Sequence, residues 1–94
     1  MNDLLKYCEK LLKDAHMHTM HNRKEVEASH FCYCICCRTS FKPLEIDNYT
    51  DGNTTVICPY CSTDAVLGDA CGINMTDELL EQLHQRYFNY ENID

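Results

Sequence analysis

The chain has 94 residues, eight of them cysteine, and a net charge of −7 with histidine neutral. That length bounds one small domain with a modest core, the size class that leans on a bound metal or on disulfides. No stretch approaches the ~18 apolar residues of a membrane span, and the opening MNDLLKYCEK has no apolar run of signal-peptide length. A cytoplasmic setting is expected, where thiols stay reduced and clustered cysteines favour metal over disulfides.

Charge is lopsided. Residues 1–42 carry a balance of +2, and residues 43–94 carry −9, with Arg86 the only base against ten acids. A field of that sign repels phosphate backbones, so a protein partner is expected rather than nucleic acid.

In chain order, Asp3 is placed to cap a helix opening at Leu4, and Leu4, Leu5, Cys8, Leu11, Leu12 and Ala15 recur at helical spacing. The pattern thins from His16 to His21 and resumes with Val26 and Ala28. With no Pro or Gly between Leu4 and Ala28, one long helix is expected, and two helices with a break near 18–22 is the other option. On a continuous helix His18 and His21 share a face while His16 points away. No carboxylate or cysteine joins them in sequence, so they read as a polar helix face.

Residues 31–37 form a cysteine-dense turn. Pro43 to Tyr49 suits a short helix with Pro43 in its first turn and Leu44, Ile46 and Tyr49 to bury. Asp51-Gly52-Asn53 is a turn signal, and Thr54 to Ile57 is a β-prone run entering Cys58. Thr76 is placed to cap a helix over about residues 77–90, with Asp77 and Glu78 at its positive end. Leu80, Leu83, His84, Tyr87 and Phe88 supply its buried stripe, with His84 expected as a hydrogen-bonded core histidine.

Two Cys-x-x-Cys pairs stand out, Cys34/Cys37 and Cys58/Cys61, separated by twenty residues. That spacing lies at the upper edge for a four-cysteine zinc site. Each tight turn puts two sulfurs on one side of a loop, so each pair supplies two corners of a tetrahedron with Zn–S arms of about 2.3 Å. Cys34, Cys37, Cys58 and Cys61 are therefore the expected ligands of one structural Zn²⁺. Cys32 and Cys36 make neighbouring registers available, and His30 is a conceivable substitute beside Cys32. Cys8 and Cys71 read as packing or incidental residues.

Cys58-Pro-Tyr-Cys61 is also the dithiol sequence that glutaredoxins carry. That chemistry needs a long helix directly after the dithiol, a βαβ frame and a second proline opposite it. Gly68 follows too soon, and the chain has only Pro43 and Pro59. No G-x-S-x-G, H-E-x-x-H or Gly-rich phosphate loop is present.

Several runs act together. They are Asn22 to Ser29, then Cys32, Cys34 and Cys37, then Phe41, Pro43, Glu45, Ile46, Tyr49 and Asp51. Thr55, Cys58-Pro-Tyr-Cys61, Asp64, Val66 and Gly68 follow, then Thr76, Glu78, Leu80, His84 and Phe88. In combination, over roughly residues 21–88, they resemble a family of small bacterial zinc-knuckle proteins. That family carries Gly where this chain has Tyr33 and Ser62, an aromatic residue at Cys36 and Trp at Tyr49. The resemblance implies a zinc-bound cytosolic domain and no activity.

The expected fold is a small, metal-stabilised, helix-dominated α+β domain spanning 1–94. It divides into a helical region (1–30), a zinc-knuckle core with a short β-ribbon (31–68) and a C-terminal helix with its tail (69–94). The expected function is non-catalytic: a protein-interaction or regulatory module. Its most specific form is a phage or mobile-element inhibitor that blocks a nucleic-acid enzyme with its acidic face. A nucleic-acid-binding zinc ribbon using Lys6, Lys10, Lys13, Arg23 and Lys24 is a second reading, and a Cys58/Cys61 oxidoreductase a third.

Overall fold

The computed structural model describes residues 9–88. The expected cap at Asp3 and the residues Leu4, Leu5 and Cys8 lie outside that range. Helix α1 runs Glu9–Met17 and buries Leu12 and Ala15. Helix α2 is a short segment, Arg23–Glu27, that buries Val26.

The single long helix is thus not formed; the chain breaks where the apolar pattern thins. Helix propensity is weak through Thr19, His21 and Asn22, and their polar groups have better partners elsewhere. Thr19 Oγ1 donates to the His16 carbonyl at 2.7 Å. His21 turns left-handed at φ 50°, and its N–H donates to Thr55 Oγ1 at 2.8 Å. The Arg23 N–H donates to the Thr54 carbonyl at 2.9 Å. Long-range bonds therefore replace the ladder that would continue α1. The histidines do not share a face: His18 Nδ1 lies 3.0 and 3.1 Å from the Glu25 carboxylate oxygens, and His21 Nδ1 lies 2.7 Å from Thr54 Oγ1.

Strands β1 (Cys32–Cys34), β2 (Ser40–Phe41) and β5 (Val66–Gly68) form one antiparallel sheet in the order β2-β1-β5. Tyr33 pairs with Ser40 on one side and Leu67 on the other. Strands β3 (Tyr49–Thr50) and β4 (Thr55–Val56) form a separate antiparallel hairpin, so the β-prone run before Cys58 is a strand.

The expected Pro43 helix shrinks to a 3-10 turn, Pro43–Glu45. The Lys42 N–H donates to Glu45 Oε2 at 2.9 Å, and Ile46 is already extended. Ile46 is buried as expected, but Leu44 is 94% exposed. Three residues make one turn, and one turn cannot present both side chains to the core.

Helix α3 runs Asp77–Phe88, and Thr76 Oγ1 accepts from the Leu79 N–H at 3.1 Å, the expected cap. Its buried stripe is Leu79, Leu80 and Leu83, with His84, Tyr87 and Phe88 half-buried at its edge. His84 Nδ1 donates to the Ile35 carbonyl at 2.8 Å, which fixes the ring tautomer. Helix α1 lies along α3, joined by Arg86–Glu9 at 2.7 Å and by the His16 ring stacked on Tyr87 at 4.1 Å.

The core runs through Cys32, Cys34, Ile35, Val56, Cys58, Val66, Leu67, Leu79 and Leu83, all essentially inaccessible. Asn22 bridges the two sheets from within it: Nδ2 donates to the Val66 carbonyl at 2.7 Å, and Oδ1 accepts from the Val56 N–H at 3.2 Å. No helix among the described residues is long and apolar enough to cross a membrane.

Candidate metal centre

The two Cys-x-x-Cys turns are built the same way. The first hangs from the end of β1 and the second follows β4. The Cys34 N–H donates to the Thr39 carbonyl at 3.0 Å, and the Cys58 N–H to the Thr63 carbonyl at 2.8 Å. The Arg38 N–H returns to the Cys34 carbonyl at 2.8 Å, and the Ser62 N–H to the Cys58 carbonyl at 3.0 Å. Each turn reverses through one left-handed residue, Arg38 at φ 65° and Ser62 at φ 67°. That conformation costs a residue with a Cβ on the order of 1–2 kcal/mol. It also accounts for position 62 suiting glycine, whereas Tyr33 is an ordinary strand residue. The Ile35 N–H donates to the Ala65 carbonyl at 2.9 Å and ties one turn to the other.

The reversals aim four sulfurs at one point. The Sγ atoms of Cys34, Cys37, Cys58 and Cys61 all lie within 4.8 Å of one another, the one metal-ligating cluster among the described residues. Cys34 and Cys61 sulfurs are 3.6 Å apart, and those of Cys37 and Cys58 are 3.7 Å apart. A tetrahedron with metal–sulfur arms of about 2.3 Å has edges of about 3.8 Å. The sequence expectation that these four meet is what the geometry delivers, and the group can hold a metal ion. Four thiolates suit a soft or borderline cation.

Hydrogen-bonding groups line the sulfurs. The Cys37 N–H points at Cys34 Sγ (3.5 Å) and the Tyr60 N–H at Cys58 Sγ (3.3 Å). Thr63 Oγ1 sits 2.6 Å from Cys61 Sγ and 3.7 Å from Cys34 Sγ, and Thr39 Oγ1 sits 3.3 Å from Cys37 Sγ. These two threonines escaped the sequence reading. Their signal was available: each stands two residues after the second cysteine of its pair.

Burial pushes the Cys34 thiol far above its ordinary range and raises Cys58 as well. Burial also opposes the Cys61 thiolate, but the Thr63 hydroxyl and backbone N–H, with the Cys34 and Cys37 thiols, outweigh it and bring that thiol down to about 6. The cluster is thus part thiol and part thiolate until a cation displaces the remaining protons.

The other candidates stay out of the cluster. Cys32 is buried in β1, where desolvation and the charges of Asp69 and Glu45 push its thiol up to about 12. Cys36 is half-buried beside the site, and Cys71 Sγ faces the Ile73 carbonyl at 3.9 Å. The His30 side chain is 95% exposed, with Nδ1 3.6 Å from Asp69. All seven described cysteines are free of disulfides. No helix directly follows Cys61, the next element being β5, and every strand pair is antiparallel, so the described residues contain no βαβ unit around the dithiol.

Comparison of the chain with family models, curated proteins and solved structures found no match.

Proposed function

We propose that Cys34, Cys37, Cys58 and Cys61 bind one Zn²⁺ as a closed structural site of two zinc knuckles, and that the protein works by contact with a protein partner, without catalysis, in the cytoplasm. The observation that carries this is the convergence of four sulfurs, from two turns twenty residues apart in sequence, to within 4.8 Å. Four thiolates leave no open coordination position for a substrate. The strand β5, rather than a helix, directly after Cys61 counts against the thiol–disulfide reading. Membership of the small zinc-knuckle family rests on the sequence motifs.

Elemental analysis of protein purified without added metal should give one zinc per chain, and Cys58→Ser should lose both the metal and the fold of residues 31–68. Less than half an equivalent, or a disulfide between Cys58 and Cys61 in fresh material, would contradict the reading.

The partner is inferred from charge. Asp77, Glu78 and Glu81 line a groove of about 410 Å³ with Tyr33, Arg38, Leu80 and Gln82 at the start of α3. A basic protein surface fits it, including the substrate channel of a nucleic-acid enzyme. The nucleic-acid reading is weakened by internal pairing of its cations: Lys10 lies 3.2 Å from Asp14, and Arg23 3.0 Å from Glu27. Glu81 is committed to Arg38, so the clean charge reversal is Asp77→Lys with Glu78→Lys. It should slow association with a captured partner more than it speeds dissociation. Tight binding to mixed nucleic acids in a gel shift, with a steep salt dependence, would favour the zinc-ribbon reading instead.

A further inference from the structure

Where the α1–α2 junction meets the β3–β4 hairpin, His21, Arg23, Lys24, Asn53 and Thr54 line a cavity of about 290 Å³. Every ionisable side chain in that lining is basic, on a chain of net charge −7. The wall is stitched together from two distant segments. Besides the Arg23 and His21 backbone bonds to the hairpin, Arg23 Nη1 donates to the Asn53 carbonyl at 3.2 Å, and the guanidinium lies 4.0 Å over the Tyr49 ring.

The donors can be traced. The Thr54 hydroxyl has one proton and gives it to the Asp51 carbonyl at 2.7 Å. Its oxygen must therefore accept from His21 Nδ1–H, 2.7 Å away. The imidazole is thereby held with its proton on Nδ1, and its Nε2 has no partner among the described residues. The exposed Lys24 amine and the Asn53 side-chain amide have none either. The nearby carboxylates are engaged: Glu27 on Arg23 Nε, Asp51 Oδ2 on the Thr55 hydroxyl, and Glu25 on His18.

We propose that this cavity binds the phosphate group of a phosphate monoester. The Lys24 amine supplies the charge, the Arg23 guanidinium, shared with Glu27, its remaining N–H donors, and the Asn53 amide a neutral donor. His21 lines the same cavity with its Nε2 edge unpartnered among the described residues. The donors approach from segments thirty residues apart, which suits oxygens spread over a tetrahedron. A carboxylate is better matched by one parallel fork. One phosphate group meets only this local field, whereas a polyanionic strand must also run over the acidic half. The inference goes beyond the proposed function and does not need the protein partner.

The test is an NMR titration of backbone amides in the full chain, as purified. The probes are inorganic phosphate, a nucleoside monophosphate, the unphosphorylated nucleoside and a phosphoserine peptide, each to about 10 mM at constant ionic strength, beyond the millimolar Kd of a weak site. Saturable shifts centred on residues 21–24 and 53–54 are expected with each phosphorylated probe and not with the nucleoside. Tighter binding of the nucleotide assigns the site to a small phosphorylated molecule; tighter binding of the peptide assigns it to a modified protein. Lys24→Glu alters an exposed side chain with no internal partner, so it should leave the rest of the spectrum unchanged and weaken binding about tenfold or more. Absence of saturable shifts, shifts elsewhere, equal response to the nucleoside, or full affinity in Lys24→Glu would overturn the proposal.

Discussion

At the residue scale, two residues outside the sulfur cluster set the packing of the strands that flank it. Asn22 is buried, and its amide satisfies backbone groups on β4 and β5 at once. Asn22→Ala leaves a buried N–H and a buried carbonyl unpaired, at about 1–3 kcal/mol each. A loss of about 2–5 kcal/mol in denaturant unfolding is expected, and a loss under 1 kcal/mol would show that water replaces the amide. Gly68 is set by close approach rather than by its backbone angles. A Cβ there would meet Ser29 Oγ at 2.3 Å and Val26 Cα at 3.1 Å. Ser29 Oγ cannot retreat freely, because it donates to the Glu25 carbonyl and accepts from the Ala70 N–H, both at 2.9 Å. Gly68→Ala should therefore cost about 1–3 kcal/mol, read as a lower thermal midpoint; an unchanged midpoint would mean that α2 shifts without strain. Neither role was legible in the sequence. Asn22 looked like one polar residue in a thinning helix, and only the packing of β5 on α2 gives Gly68 its reason.

At the element scale, the cysteine turns were the most legible part, because ligand spacing is a local property of the chain. The helices were less so. The Leu4-to-Ala28 segment contains no Pro or Gly, so local propensity offered no stop, and the break comes from bonds to a hairpin more than thirty residues away. Leu44 misled for a related reason: its spacing fits a helix, but the Glu45 N–H bond to the Lys42 carbonyl closes a single turn and leaves Leu44 exposed. The turns themselves predict a pH dependence. Cys34 and Cys58 are raised above the ordinary thiol range and so are protonated near neutrality, while Cys61, at about 6, is already thiolate. Loading the site at pH 7 must release at least two protons. Apparent metal affinity should then rise by about two decades or more per pH unit around neutrality, and fall correspondingly in acid. Competition against a chromophoric chelator measures the slope; a slope near zero would mean that the cluster is already fully ionised.

At the scale of the whole molecule, short strands of two or three residues and three helices leave little to hold the two turns together except the site between them. Structural zinc contributes about 10–16 kcal/mol of apparent binding free energy, comparable to or above the 5–15 kcal/mol stability of an ordinary domain. Sequence spacing pointed to the four-cysteine cluster, whereas the three-stranded sheet that positions Cys34 was not legible, since β2 and β5 are too short to leave a pattern. The most direct measurement is zinc K-edge X-ray absorption on protein purified without added metal. A first shell of four sulfurs at about 2.3 Å, lost together with the folded spectrum in Cys58→Ser, is the predicted result. A shell containing nitrogen or oxygen, or a folded protein without zinc, would contradict the account.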